Sequence, residues 1–158
     1  MSLKIGEPIP EIEVALTGGR TARLSDFRGR HLVLYFYPKA STPGCTQEGQ
    51  DFRDAHDAFA AASATILGAS RDGIKAQENF KAKQAFPFDL VSDTDEALCR
   101  MFDVIKLKKM YGRESLGVER STFLIDADGV LRREWRKVKV KGHVDEVLAA
   151  VRELPGGA

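Results

Sequence analysis

Apolar residues fall into two kinds of pattern along this chain. The run His31-Leu32-Val33-Leu34-Tyr35-Phe36-Tyr37 is apolar with little alternation, and residues 64–70 repeat that character. Unbroken runs of this length predict strands buried on both faces, at the centre of a sheet. Between them, Phe52, Ala55, Phe59 and Ala60 recur at helical spacing and predict a helix over about 45–61. The same reasoning predicts helices over 74–84, 94–102 and 144–154, with a short strand at 88–91. Near the start, residues 12–16 and 21–24 flank Gly18-Gly19 as a hairpin, and Ser25-Asp26-Phe27 opens a single helical turn. A long polar loop carries the chain to about Arg120. A strand at 121–125, the turn Asp126-Ala127-Asp128-Gly129 and a strand at 130–140 then form a second hairpin.

Strands alternating with helices, followed by a hairpin and a closing helix, predict an α/β protein with a mixed central sheet flanked by helices. That order matches a thioredoxin-like fold with an N-terminal hairpin extension. With 158 residues, 43% of them hydrophobic, no repeat and no internal linker, one domain over 1–158 is expected, with 154–158 as a frayed tail.

Charge narrows the function. The 24 basic and 23 acidic side chains leave a net charge of +1, so no long-range field of one sign draws the chain to nucleic acid or to an anionic membrane. The stretch 132–141 is rich in Arg and Lys, but Lys137, Lys139 and Lys141 alternate with Val138 and Val140, as on a strand with one wet face. The first eight residues lack the apolar core of a signal peptide, and the longest apolar run is far below the roughly 20 residues that span a bilayer. Two cysteines, Cys45 and Cys99, are too few for a disulfide scaffold. A cytoplasmic, reduced chain whose thiols serve chemistry is the expectation.

The segment Tyr35-Phe36-Tyr37-Pro38-Lys39-Ala40-Ser41-Thr42-Pro43-Gly44-Cys45-Thr46 is where that chemistry is concentrated. A buried strand ends at Pro38, a tight polar loop follows, and a cysteine stands where a helix begins. A thiol there meets unpaired backbone N–H groups near Gly44 and Cys45 and the positive end of the helix dipole, both of which favour thiolate. The Thr42 hydroxyl can turn toward the sulfur or toward an oxygen bound beside it. Pro38 and Pro43 stiffen the loop. Thiol acidity alone is a small lever. A thiol of pKa about 8.5 is only ~3% ionised at pH 7, and the nucleophilicity lost on acidification offsets most of the gain. Fast chemistry at such a sulfur requires donors that stabilise charge as the bond breaks.

Pro38, Thr42 and Cys45 reproduce the Pro-x-x-x-Thr-x-x-Cys signature of peroxiredoxins. Phe36-Tyr37-Pro38-Lys39, Ser41 to Thr46, Ser70-Arg71-Asp72 and Glu119-Arg120-Ser121-Thr122-Phe123-Leu124-Ile125-Asp126 further resemble the bacterioferritin comigratory protein or peroxiredoxin Q subgroup. The resemblance implies a thiol-dependent peroxidase that reduces hydrogen peroxide and organic hydroperoxides. It casts Cys45 as the peroxidatic cysteine, Thr42 as the peroxide-binding hydroxyl, Pro38 as the shield of the thiolate and Arg120 as the arginine brought from a distant strand. Glu48, one helical turn after Cys45, would orient Arg120.

Some relatives carry a resolving cysteine five residues after the peroxidatic one, where this chain has Gln50, and others in the next helix, where it has Lys81. Those departures favour a one-cysteine cycle completed by an external thiol: thioredoxin, or else glutaredoxin or glutathione. Cys99, beside Leu98 and Phe102, reads as core packing with a resolving role as the lesser alternative. No metal, haem or flavin is implied, and a monomer is expected. His31, His56 and His143 lack metal-ligand spacing and read as surface or strand-edge residues. Met110 or Tyr111 would wall the site by chain proximity to Arg120.

Competing chemistries lack their residues. A thiol-disulfide oxidoreductase needs a second cysteine where Glu48 stands, and a cysteine phosphatase needs arginine where Asp51 stands. A cysteine hydrolase needs a partnered histidine that no local context singles out. The remaining alternative is a redox-sensing or holdase-like protein in which Cys45 is oxidised as a signal and returned slowly.

Overall fold

The computed structural model describes residues 3–155. A hairpin of β1 (Glu13–Leu16) and β2 (Arg20–Arg23) precedes a 3-10 turn at Leu24–Phe27. Then follow β3 (His31–Phe36), α1 (Pro43–Asp54), α2 (His56–Ala61), β4 (Ala64–Ser70), α3 (Ile74–Gln84), β5 (Asp89–Ser92) and α4 (Ala97–Met101). The second half adds β6 (Ile105–Met110), β7 (Arg113–Val118), β8 (Ser121–Ile125), β9 (Leu131–Trp135) and α5 (His143–Glu153). Seven strands form one mixed sheet in the order β2-β1-β5-β4-β3-β8-β9, and β6 and β7 make a separate ribbon. β3, β4 and β5 are parallel to one another, while β8, β9, β1 and β2 extend the sheet antiparallel. This is the expected thioredoxin-like α/β architecture with its N-terminal hairpin.

All six residues of β3 are buried because the strand lies between β4 and β8 with a core on each face. Leu32, Leu34 and Phe36 point into one core, together with Leu98, Cys99, Phe102 and Phe123. Val33, Tyr35 and Tyr37 point into the other, where Cys45, Phe52, Phe59, Phe80, Val147 and Val151 bring α1, α2, α3 and α5 onto the sheet. The two cysteines, on α1 and α4, thus lie on opposite faces of the sheet.

Four expectations give way to the structure. The helix over 45–61 is two helices, with Ala55 at φ −97°, ψ 2° ending one and preceding the next. The helix expected over 94–102 is confined to α4, because Glu96 takes the left-handed conformation and the Asp93 carboxylate accepts the Leu98 and Cys99 N–H groups at 3.0 and 2.8 Å. The long polar loop before Arg120 contains the β6–β7 ribbon, turned at Tyr111 and Gly112, both at positive φ. The strand expected to run to 140 ends at Trp135. Lys137 has φ 50°, and Arg136 turns inward to donate to the Phe102 and Asp103 carbonyls.

Two histidines are also deeper than expected. His31, the first residue of the central strand β3, is 2% exposed. His143, the first residue of α5, is 4% exposed and packs against Phe52 and Trp135. α5 closes at Glu153 with Pro155 exposed beyond it, and the rest of the expected tail, 156–158, lies outside the described residues. Among the described residues no helix is long and apolar enough to cross a membrane.

Candidate active site

Thr42 is the N-cap residue of α1 and Pro43 its first helical residue, so Cys45 lies in the first turn. The first bond inside the helix runs from the Thr46 N–H to the Thr42 carbonyl at 2.8 Å. The N–H groups of Gly44 and Cys45 precede it, have no helical acceptor, and stand at the positive end of the macrodipole. The loop feeding this turn leaves β3 at the half-buried Pro38 and passes Ser41 in the left-handed region at φ 65°. Asp72 tethers it: its carboxylate accepts from the Ala40 N–H at 2.8 Å and from the Ser70 hydroxyl.

The Cys45 side chain is buried, with 1% exposure. Arg120 arrives from the segment joining β7 to β8, 75 residues away in sequence, and places its Nη2 3.5 Å from the Cys45 Sγ. Its Nη1 donates to the Glu48 Oε1 at 2.8 Å. Glu48 follows Cys45 by one turn of α1, so one helix face presents both groups to a single guanidinium. Gly44 makes the approach possible, since a Cβ there would stand 3.1 Å from the Arg120 Nη2. The Thr42 hydroxyl donates to the Lys39 carbonyl at 2.7 Å, and not to the sulfur. That bond uses the hydroxyl proton and leaves the oxygen lone pairs to accept from a ligand.

The electrostatics follow from burial. Glu48 is fully buried, and the loss of water pushes its carboxyl up to about 7 despite the pull of Arg120. Its Oε2 makes no hydrogen bond among the described residues. Burial works against the Arg120 cation too, but Glu48 and Cys45 outweigh it and hold the guanidinium above its ordinary range. His143 is pushed down to about 4 by burial, with Arg120 adding to the effect, and its Nε2 lies 2.7 Å from the Thr122 hydroxyl. Cys99 sits on the far face of the sheet at 0% exposure, where burial, with Asp93 beside it, drives the thiol strongly toward its protonated form.

The structure therefore brings together Cys45, Arg120, Glu48 and Gly44, holds Thr42 and Pro38 in the adjoining loop, and leaves Cys99 out. Tyr111 is 98% exposed at the tip of the β6–β7 ribbon. Asp72, His143 and Lys108 are further neighbours of the site. Each reaches it from another element, and only the Ser70-Arg71-Asp72 motif hinted at one of them.

Residues 5–134 match the AhpC/TSA family. This chain belongs to that family. It is a peroxiredoxin by relationship, and its activity is that of a thiol peroxidase. It is 49% identical over 154 residues to Peroxiredoxin Bcp of Bacillus subtilis, covering 98% of both chains, and 56% identical over 142 residues to Peroxiredoxin Bcp of Xanthomonas campestris, covering 90% of this chain and 89% of the relative. The solved structure of Xanthomonas campestris Peroxiredoxin Q superposes with a TM-score of 0.86 at 57% identity, covering 89% of each chain. That of a Xylella fastidiosa PrxQ mutant gives 0.91 at 44% identity, covering 96% of this chain and 97% of the other. One structure of the Xanthomonas protein concerns its alkyl peroxide reduction activity. Others carry serine in place of cysteine at two positions, whose separation equals that of Cys45 and Lys81.

Lys81 and Gln50, at the positions where the resemblance implies a second thiol in some relatives, are both engaged. The Lys81 ammonium donates to the Asp89 Oδ1 at 2.7 Å, and Asp89 also pairs with Arg20. Gln50 on α1 donates to the Gln84 Oε1 on α3 at 2.9 Å. In this peroxiredoxin, those positions join elements together.

Proposed function

We propose that Cys45 is the peroxidatic residue of a one-cysteine thiol peroxidase acting on hydrogen peroxide and organic hydroperoxides. The observation that carries the reading is the single guanidinium of Arg120 held between the Cys45 sulfur and the buried Glu48 carboxyl. The Cys45 thiolate attacks the terminal peroxide oxygen, the S–O bond forms as the O–O bond breaks, and the leaving oxygen departs as water or alcohol after taking a proton. Thr42 accepts from the peroxide O–H. Arg120 and the Gly44 and Cys45 N–H groups donate to the oxygen on which charge develops. Pro38 shields the sulfur at the strand end, and Glu48 aims Arg120. One thiol of the reductant then displaces water from the Cys45 sulfenic acid, and a second releases Cys45 as thiolate.

Thioredoxin is the proposed reductant, with glutaredoxin or glutathione as substitutes, in a cytoplasmic monomer built as one domain. The continuous seven-stranded sheet supports the domain reading, and the placement of Cys99 behind that sheet supports the need for an external thiol. Intact mass after one equivalent of peroxide tests the cycle. A gain of one oxygen, absent in Cys45→Ser, is the expected result. A loss of two hydrogens would mean that Cys99 reaches Cys45 and would overturn the one-cysteine reading.

A further inference from the structure

Three lysines stand on β6, and two of them have carboxylate partners. Lys106 donates to the Asp103 Oδ2 at 3.2 Å, and Lys109 lies 3.5 Å from the Glu114 Oε1. Lys108 is different. Its ammonium donates to the Val118 carbonyl on β7, and among the described residues no carboxylate reaches salt-bridge distance of it. The side chain lies along Gly117, where an added Cβ would stand 3.2 Å from the Lys108 Cδ and 3.4 Å from its Cε. A bare backbone at Gly117 therefore lets the stem run down the ribbon toward Val118.

Val118 is fully buried and precedes Arg120 by two residues. The chain between them is held by the Glu119 N–H on the Val104 carbonyl at 2.7 Å and by the Val138 N–H on the Arg120 carbonyl at 3.0 Å. Lys108 adds a side-chain tether at the start of that segment. The charged groups facing its ammonium are Arg120, Glu119, Cys45 and Arg71. Burial and the Arg120 cation lower its pKa, whereas Glu119 and Cys45 act to raise it.

We propose that Lys108 is a positioning residue for the reaction at Cys45, tying β6 to the chain just before Arg120 and holding an unpaired positive charge on the flank of the thiol. The argument rests on the peroxidase reading above. The Lys108 charge adds to that of Arg120 on the flank of the thiol and favours the thiolate.

The test compares Lys108→Met, which keeps the stem and loses the charge, with Lys108→Arg and Gly117→Ala. The second-order rate constant for hydrogen peroxide is measured from pH 5 to 9 by competition against a haem peroxidase. Lys108→Met is expected to react about threefold more slowly on the acid limb of its pH–rate profile, which moves up by about half a unit, the size of effect one partly screened charge exerts nearby. Lys108→Arg should recover the profile, which a loss of packing alone would not predict. An unchanged rate and profile in Lys108→Met, or equal slowing in both lysine variants without movement of the limb, overturns the proposal. Should Lys108→Met fail to fold, Gly117→Ala decides: its methyl crowds the stem, so a moved limb supports the proposal and an unmoved one overturns it. Wild-type protein that consumes no peroxide would defeat the peroxidase reading itself, and this inference with it.

Discussion

Glu48 and His143 give the folded protein two opposite dependences on pH. The Glu48 carboxyl has an ordinary pKa of 4.5 and is pushed up to about 7 in the fold. Between those values the native state keeps a proton that the unfolded chain has released, so stability falls as pH rises. At about 1.4 kcal/mol per unit, the shift corresponds to about 3 kcal/mol lost between roughly pH 4.5 and 7. His143 has an ordinary pKa of 6.5 and is pushed down to about 4. There the native state has given up a proton that the unfolded chain retains. Stability accordingly rises with pH, again by about 3 kcal/mol, between roughly pH 4 and 6.5.

Where the two windows overlap the slopes cancel, and the wild-type protein conceals both. Each substitution should uncover the other group. Glu48→Gln removes the falling component, so its stability relative to wild type should climb by about 3 kcal/mol from pH 4.5 to 7. His143→Gln removes the rising component and should show the mirror image, a relative decline across pH 4 to 6.5. Urea unfolding followed by circular dichroism at half-unit steps provides the measurement. The slope of each difference curve is the readout, because an offset from altered packing is independent of pH. Two flat difference curves, or two of the same sign, would refute the assignment of these protons to buried side chains.

Three further perturbations probe the same architecture. Gly44→Ala puts a methyl 3.1 Å from the Arg120 Nη2 at an exposed first-turn position, so peroxide reduction should slow about tenfold while urea stability moves by less than about 1 kcal/mol; an unchanged rate would remove this close approach from the mechanism. Gly49→Ala drives a Cβ to 2.3 Å from the Phe86 ring, and calorimetry should show a loss of about 1–3 kcal/mol, with the folded protein still reacting at the wild-type rate. Cys99→Ala should cost about 1 kcal/mol and leave steady-state turnover with an external thiol unchanged, whereas loss of turnover would make Cys99 part of the cycle.

The elements legible in the sequence are those whose pattern has one physical interpretation. An unbroken apolar run bounded by Pro38, such as the one containing β3, suits a strand buried on both sides, and β4 and β8 are equally unambiguous. The β6–β7 ribbon gives little signal because the pair Leu107 opposite Leu116 is exposed at 62% and 56%, lysines take three of the six β6 positions, and the other apolar pair, Ile105 opposite Val118, stands only at its base. Burial, not propensity, generates the period-2 signal, and a ribbon outside the main sheet has little of it. The stretch after Trp135 misled in the opposite sense. Val138 and Val140 are half-buried between exposed lysines, so the alternation is present, yet a left-handed Lys137 carries it on a loop.

The site divides along the same physical line. Thr42, Gly44, Cys45 and Glu48 belong to one helix start, where capping, the dipole and one turn of spacing relate them through local geometry alone. Arg120 is brought to them by the pairing of β8 with β3, in which Ser121 stands opposite Phe36 at the end of the strand that launches the catalytic loop. That register delivers the residue just before Ser121 to the Cys45 end of the sheet. Nothing in the local sequence around Arg120 encodes that destination, which is why the resemblance to peroxiredoxins identified it and composition did not. The two cysteines likewise owe their places to packing: α1 carries Cys45 to one face of the sheet and α4 carries Cys99 to the other. Joining Cys45 to Cys99 would require pulling a buried side chain out of one core and past seven paired strands. Delivery of an outside thiol to the mouth of α1 requires only that the first turn open.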